Sequence, residues 1–352
     1  MKPRRNPPGK DARGTDAPPV ARHGSAVAAL SLRQLGYVVA LSETLNFTRA
    51  AARCFVTQST LSAGIRELER QLDVVLFERD RQSVRLSAPA HDLVARARIL
   101  LSQAQDLIQA ARSAGAPLQG SVTLGAIPTI APFLLPPLLR RMRAELPQLS
   151  VLLREEQTAR LLEELEQGAI DAALIALPMD VGQLHAVPLF EEELWLIASE
   201  HDPLAALQLP RVGQIEMGRL LLLSDGHCLR DHSLKACQQG RRGRGRNPSA
   251  IEATSLPTLV QMVEAGLGVS LLPEMAVRAG FLVGSTVIAR PLAAPAPKRE
   301  IALVSRPTSS RGALLDRIGA LATAIAQERP AGARRSRVAR PAPGRRSMGT
   351  PG

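Results

Sequence analysis

The chain has 352 residues, 45% of them hydrophobic, and a mean hydropathy of +0.01. That length holds two or three compact units with a proper core, and no apolar run approaches the roughly 18 residues that span a bilayer, which argues against a membrane-spanning chain. The formal charge of +12 invites nucleic-acid binding, but about +4 of it falls in residues 1–30, about +6 in 328–352, and the remainder is more than covered by "RRGRGR" at 241–246. The folded parts are near neutral, so charge alone names no partner.

Residues 1–30 and 328–352 are rich in Pro, Gly, Ala and Arg and read as disordered basic extensions. The first lacks the apolar stretch of a secretory signal, which places the chain in the cytoplasm. Cysteine there is a thiol by default, and a disulfide is transient.

Residues 31–88 form a dense helical block. Leu32, Leu35, Val38, Val39 and Leu41 make one amphipathic face. Asn46 caps a second short helix, and Thr57 a third with Leu61, Ile65, Leu68 and Leu72 inward. The other side of that third helix, with its cap, carries Thr57, Gln58, Ser59, Thr60, Ser62 and Arg66. Short polar side chains near a helix N-terminus suit base edges and phosphates in a major groove. "ERDRQSVRLS" then puts Arg79, Arg81 and Arg85 on a hairpin wing, suited to phosphate or minor-groove contact. A generic three-helix bundle is the competing reading.

Residues 89–114 continue as one helix, in which Leu93, Ala97, Leu100, Ala104, Leu107 and Ala111 step by four and three. This heptad seam lets two helices lie close together as a dimer; the alternative is a helix packed on its own domain. From 119 to 327, short strands such as "SVTLGAI", "DAALIAL" and "ELWLIAS" alternate with helices, the pattern of a parallel α/β sheet.

The ordered stretch "NFTRAAARCFVTQSTLSAGIRELERQLDVVLFERDRQSVRLS" resembles the winged helix-turn-helix of LysR-type transcriptional regulators. The resemblance implies a winged helix-turn-helix, a dimerising linker helix, and a two-lobed regulatory domain like a periplasmic binding protein. It implies a pseudo-palindromic site on double-stranded DNA, RNA polymerase as partner, and a regulator, not an enzyme. Lobe one is expected at 119–190 plus 280–326, and lobe two at 191–279. Two departures stand out: "SAPA", Ser87 to Ala90, replaces the family's usual Thr-x-Ala-Gly, and the 29 residues before Leu30 have no counterpart, which suggests a start at Leu30.

"GAIPTIAPFLLPPLL", "EEQTARLLEELEQGAIDAALIAL" and "DGHCLRDHSLKAC" are similar to the peroxide-sensing branch of the family. That branch implies hydrogen peroxide as the signal, a homodimer that pairs into a homotetramer, and control of oxidative-stress genes. Its peroxide pocket carries over to Thr129 and Thr158, with support from His227 and Arg299. A peroxide sensor needs a thiolate. Cys228 stands before an expected helix, whose positive end favours the anion, with His227, Arg230 and His232 close in sequence as further positive charge or donors. Thr129 and Thr158 have a plainer reading as helix-start residues, and Arg299 as an ion-pair partner.

Cys237 lies nine residues on; across a helix that is roughly 13 Å at about 1.5 Å per residue, beyond the about 7 Å a disulfide allows. Oxidation of Cys228 to sulfenic acid, with Cys237 as the resolving thiol, therefore requires the helix to unwind. His232 between them makes a zinc site conceivable, but no fourth ligand is near, and neither metal nor cofactor is expected. Cys54 reads as a small buried hydrophobe, and the 241–246 run as a solvated loop. A thiol peroxidase and a metabolite-responsive member of the family are the rival functions.

Overall fold

The computed structural model describes residues 30–79, 83–113, 118–239 and 251–328. Arg81, the arginine-rich run at 241–246, and both basic extensions apart from Leu30 and Glu328 lie outside the described residues. The chain divides into two units, Met1–Leu101 and Ser102–Gly352.

The first unit starts with α1 (Leu32–Thr44), where Ser31 and Gln34 form a reciprocal capping box. Asn46 caps α2 (Phe47–Arg53), and Thr57 caps α3 (Gln58–Leu72) by accepting from the Thr60 N–H. Leu35, Val38, Leu41, Ala50, Ala51, Leu61, Ile65 and Leu68 close a common core. Gly64 lets α3 approach α1, since a Cβ there would stand 2.8 Å from the Tyr37 ring. The wing is β1 (Phe77–Arg79) against β2 (Val84–Leu86), antiparallel with Phe77 opposite Leu86. Glu69 ties it to α3 by accepting from the Leu76 and Phe77 N–H groups at 2.9 and 3.2 Å.

Helix α4 (Ala88–Ser113) shows that the expected seam is not uniform. Ala97 is inside the first unit's core with Ala90 and Val94, and Leu93 packs on it. Only the later part is open: Leu100 is 42% and Leu107 72% exposed, Ala104 is half-buried and Ala111 exposed. The four-and-three spacing is used by the first unit only in its early turns, because a helix leaving a domain spends its first turns packed on that domain. Farther along, Asp106 pairs with Arg306 at 3.3 Å, and its carbonyl accepts from Ser310 Oγ, within the second unit.

The second unit holds a seven-stranded mixed sheet. β3 (Gly120–Ala126) lies parallel to β4 (Leu149–Glu155) and β5 (Ala172–Leu177), joined through α5 (Ala131–Glu145) and α6 (Thr158–Glu166). The long β6 (His185–Ser199) passes between two hydrophobic clusters. Its first half pairs with β11 (Lys298–Ser305), and its second half with β9 (Ser270–Pro273) and β10 (Val287–Arg290). Lobe one is the cluster around Leu124, Ile130, Leu161, Leu174, Ile301 and Ile318, covered by α10 (Gly312–Gln327). Lobe two gathers Leu196, Leu222, Val260, Val269 and Leu272. It includes the pair β7 (Leu222–Leu223) and β8 (Glu252–Ala253), and the helices α7 (Cys228–Gln239), α8 (Leu256–Glu264) and α9 (Glu274–Arg278).

The return crossing comes later than expected. Val287 and Leu292 belong to the lobe-two cluster, and β10 pairs with Leu196–Ser199. Residues 280–297 therefore stay with lobe two, and the chain recrosses on β11. A four-residue apolar strand suits either lobe; only its register decides.

Candidate functional site

Two sites emerge, one in each unit. In the first, the exposed side of α3 presents Thr57, Gln58, Ser59, Thr60 and Arg66, with Ser62 half-buried beside them. The Thr57 hydroxyl also meets those of Ser59 and Thr60, at 2.9 and 2.8 Å, so the cap orders the helix's leading edge. Arg85 is exposed on the wing, and Arg79 ends β1. One residue the sequence reading passed over is Phe55, in the turn before α3, at 95% exposure.

The second site forms where the two lobes meet. Cys228 is the first residue of α7, and its side chain packs into the lobe-one cluster. Cys237, near the other end of the same helix, is fully buried in the lobe-two cluster. Both are thiols, and with helix between them their Cα atoms are roughly 13 Å apart at about 1.5 Å per residue. The turn into α7 contains Gly226 at φ +91, where a Cβ would fall 2.4 Å from Gln157 Oε1. That close approach lays the 157–158 segment against the cysteine turn.

Thr158 opens α6, but the cap position is Gln157 and neither side chain caps the helix. Thr158 Oγ1 is instead buried without a full hydrogen bond, beside the Cys228 thiol. Thr129 likewise does more than start a helix. Its Oγ1 accepts from Arg299 Nη1 at 2.8 Å and its carbonyl from Nη2 at 3.1 Å. Arg299 is 1% exposed and pairs with buried Glu192 at 2.8 Å. That pair follows from register, since Arg299 on β11 stands opposite Glu192 on β6. Glu192 is in turn fixed by the Met275 N–H at 2.7 Å. The guanidinium is thus held by Thr129, in the turn before α5, and by Glu192 on β6, which α9 anchors in turn.

The electrostatics depart from expectation at four points. Burial pushes the Cys228 thiol up, and it outweighs the lowering effects of the Arg299 charge and the Thr158 hydroxyl. The resting group is a protonated thiol, not the anion expected from the helix end. His232 supplies no positive charge: burial, then Arg299 and Lys235, lower it to about 4. It is neutral, its imidazole bonded to the Leu177 backbone, and its Nδ1 is buried without a partner. Arg230 is committed elsewhere, to Asp225 at 2.9 Å and Glu252 at 2.7 Å. His227 is half-buried, lowered by that burial, and bonded to the Thr254 backbone. The structure thus gathers Thr129, Thr158, Cys228, His232 and Arg299, and turns His227 and Arg230 toward the 252–254 strand. Among the described residues no group of His, Cys, Asp or Glu is arranged to hold a metal ion.

Sequence reasoning missed Glu192 and the orphaned His232 nitrogen. Glu192 stands in "EEE", Glu191 to Glu193, where only strand register singles out the middle residue. His232 was visible, one helical turn from Cys228, as a neighbour on the same face.

Residues 115–326 match the model of the LysR substrate binding domain, and 32–91 that of the bacterial regulatory helix-turn-helix protein, lysR family. The chain is 47% identical to the HTH-type transcriptional regulator EstR of Acinetobacter baylyi over 276 residues, which is 78% of this chain and 90% of that one. It is 39% identical to the hydrogen peroxide-inducible genes activator of Haemophilus influenzae over 300 residues, covering 85% and 97%. A full-length OxyR variant from Pseudomonas aeruginosa superposes with a TM-score of 0.71 at 34% identity, covering 83% of this chain and 94% of that one. With a DNA-reading helix-turn-helix and a two-lobed regulatory domain matched in order along its length, the chain belongs to the LysR family of transcriptional regulators.

Proposed function

We propose that this regulator senses hydrogen peroxide through Cys228 and acts in the cytoplasm on genes of oxidative-stress defence. The observation that carries the reading is a buried thiol held beside the buried Thr158 hydroxyl, within the field of an arginine fixed by an ion pair. Peroxide enters as both donor and acceptor. Thr158 and Thr129 offer hydroxyls, and the His232 nitrogen a lone pair. Cys228 sulfur attacks one peroxide oxygen and the O–O bond breaks. The thiol proton leaves with the departing oxygen as water, and Cys228 becomes a sulfenic acid. Arg299 stabilises the negative charge that passes through the sulfur and the leaving oxygen.

The second step brings Cys237 to the sulfenic sulfur, forms the disulfide and releases a second water. With the two thiols buried in different lobes, this requires α7 to unwind at one end. The remodelled helix shifts contacts between subunits of a homodimer or homotetramer and re-aims the DNA-binding units on a pseudo-palindromic promoter site. RNA polymerase reads the outcome. In this reading the open stripe of Leu100, Ala104, Leu107 and Ala111 joins the linker helices, and Thr57, Gln58, Ser59, Thr60, Ser62, Arg66, Arg79, Arg81 and Arg85 contact DNA.

Cys228→Ser is the test: peroxide should no longer change the DNA footprint, while the reduced protein still binds. A variant that keeps a normal peroxide response sinks the proposal. In Cys237→Ser, sulfenic acid should accumulate at Cys228.

The higher identity to EstR than to the peroxide activator favours a second reading, a small metabolite bound between the lobes. Under it, a small organic ligand raises the melting temperature of the wild type, and peroxide leaves the footprint unchanged.

A further inference from the structure

The chain has only six Phe, one Trp and one Tyr in 352 residues. One of these few aromatic rings is placed almost wholly in solvent. Phe55 is 95% exposed, more than any other large hydrophobic side chain of the described residues. Its backbone is at φ 56, the left-handed region that side chains other than glycine avoid. The turn holds it there: the Phe55 N–H donates to Ala52 O at 3.2 Å, and the Val56 N–H to Ala51 O at 3.1 Å. Its neighbours Cys54 and Val56 pack on the first unit's core, so the turn aims this one ring outward. Folding explains neither the ring nor its direction.

Its position does. Phe55 stands two residues before Thr57, the cap of α3, whose leading edge is exposed. In a helix-turn-helix the N-terminal end of this helix enters the major groove. The turn then runs along the groove wall, where an uncharged ring finds an apolar partner in the thymine C5-methyl. We propose that Phe55 is a specificity-determining residue that packs on a thymine methyl in each half-site. It adds an apolar base contact to the polar ones of α3. The inference rests on the helix-turn-helix alone and is independent of the peroxide reading.

The test uses the full-length protein and duplexes it selects from a random pool. Each thymine of the footprint is replaced in turn by deoxyuridine, which deletes one methyl and nothing else. At one position per half-site the wild type should bind about fourfold more weakly per methyl lost. Phe55→Asn keeps a residue that tolerates left-handed backbone and removes the ring. It should bind the thymine and uracil duplexes alike, with unchanged affinity for random DNA. The proposal is overturned if no thymine is sensitive in the wild type, a result that does not depend on the variant folding. It is also overturned if Phe55→Asn keeps the same sensitivity, or if its loss is equal on random DNA.

Discussion

Cys228 and Cys237 are the same residue near opposite ends of one helix, and both are buried. Their surroundings differ in kind. Cys237 lies in the apolar cluster with Ile215, Leu220 and Leu229. Cys228 has Arg299, Thr158 and His232 about it. Burial alone makes a thiol inert, and Cys228 in its resting state is a protonated thiol like any other. Beside the apolar side chains of lobe one, it has a guanidinium, a hydroxyl and a neutral imidazole for neighbours.

The comparison breaks most sharply at Arg299. Arg299→Met leaves Glu192 buried without its counter-charge, and should cost about 3–5 kcal/mol of unfolding free energy. Urea denaturation of the full chain checks this. A change at Cys237 to Ala, in the apolar cluster, should cost far less. Equal losses would mean that the two ends of α7 do not differ as described.

Thr158→Val tests reactivity without stability. The hydroxyl makes no full hydrogen bond, so an isosteric apolar replacement should be neutral or slightly stabilising. The second-order rate of Cys228 oxidation should fall about a hundredfold, in the range of a lost transition-state hydrogen-bond donor. Stopped-flow measurement of thiol loss separates the two effects; a slower rate accompanied by an equal loss of stability would count against the assignment.

Two smaller effects concern pH. Because burial holds the Cys228 thiol above its ordinary value, its oxidation should quicken with pH and show no plateau below pH 9.0. A plateau near neutrality would mean a resting thiolate. His232 is lowered from 6.5 to about 4, so the unfolded chain takes up its proton first as pH falls. Its contribution to stability is full above pH 6.5 and is lost progressively between 6.5 and about 4. His232→Gln should flatten the stability profile in that window; an unchanged slope would show that the imidazole is solvated.

Much of this was legible in the amino-acid order. The capping residues Asn46 and Thr57, the inward Leu61, Ile65 and Leu68, and the helix from Cys228 to beyond Cys237 follow local rules that short segments obey alone. What escaped depends on distant partners. The Arg299–Glu192 pair exists only because β11 meets β6 in one register. The recrossing near 297 depends on which lobe a four-residue strand joins. The half-used seam of α4 reflects where its own domain ends. The resting charge of Cys228 was misjudged for a related reason: a helix end is local and visible in sequence, whereas burial is a sum over both lobes.

The central claim is that one helix keeps two thiols apart until oxidation unwinds it. Peptide mass mapping under non-reducing conditions, after a small dose of peroxide, tests it most directly. The account predicts a Cys228–Cys237 link that forms at one peroxide per subunit, and its loss on reduction. Peroxide-treated protein in which both cysteines remain thiols, or in which Cys228 is joined across subunits instead, would contradict it.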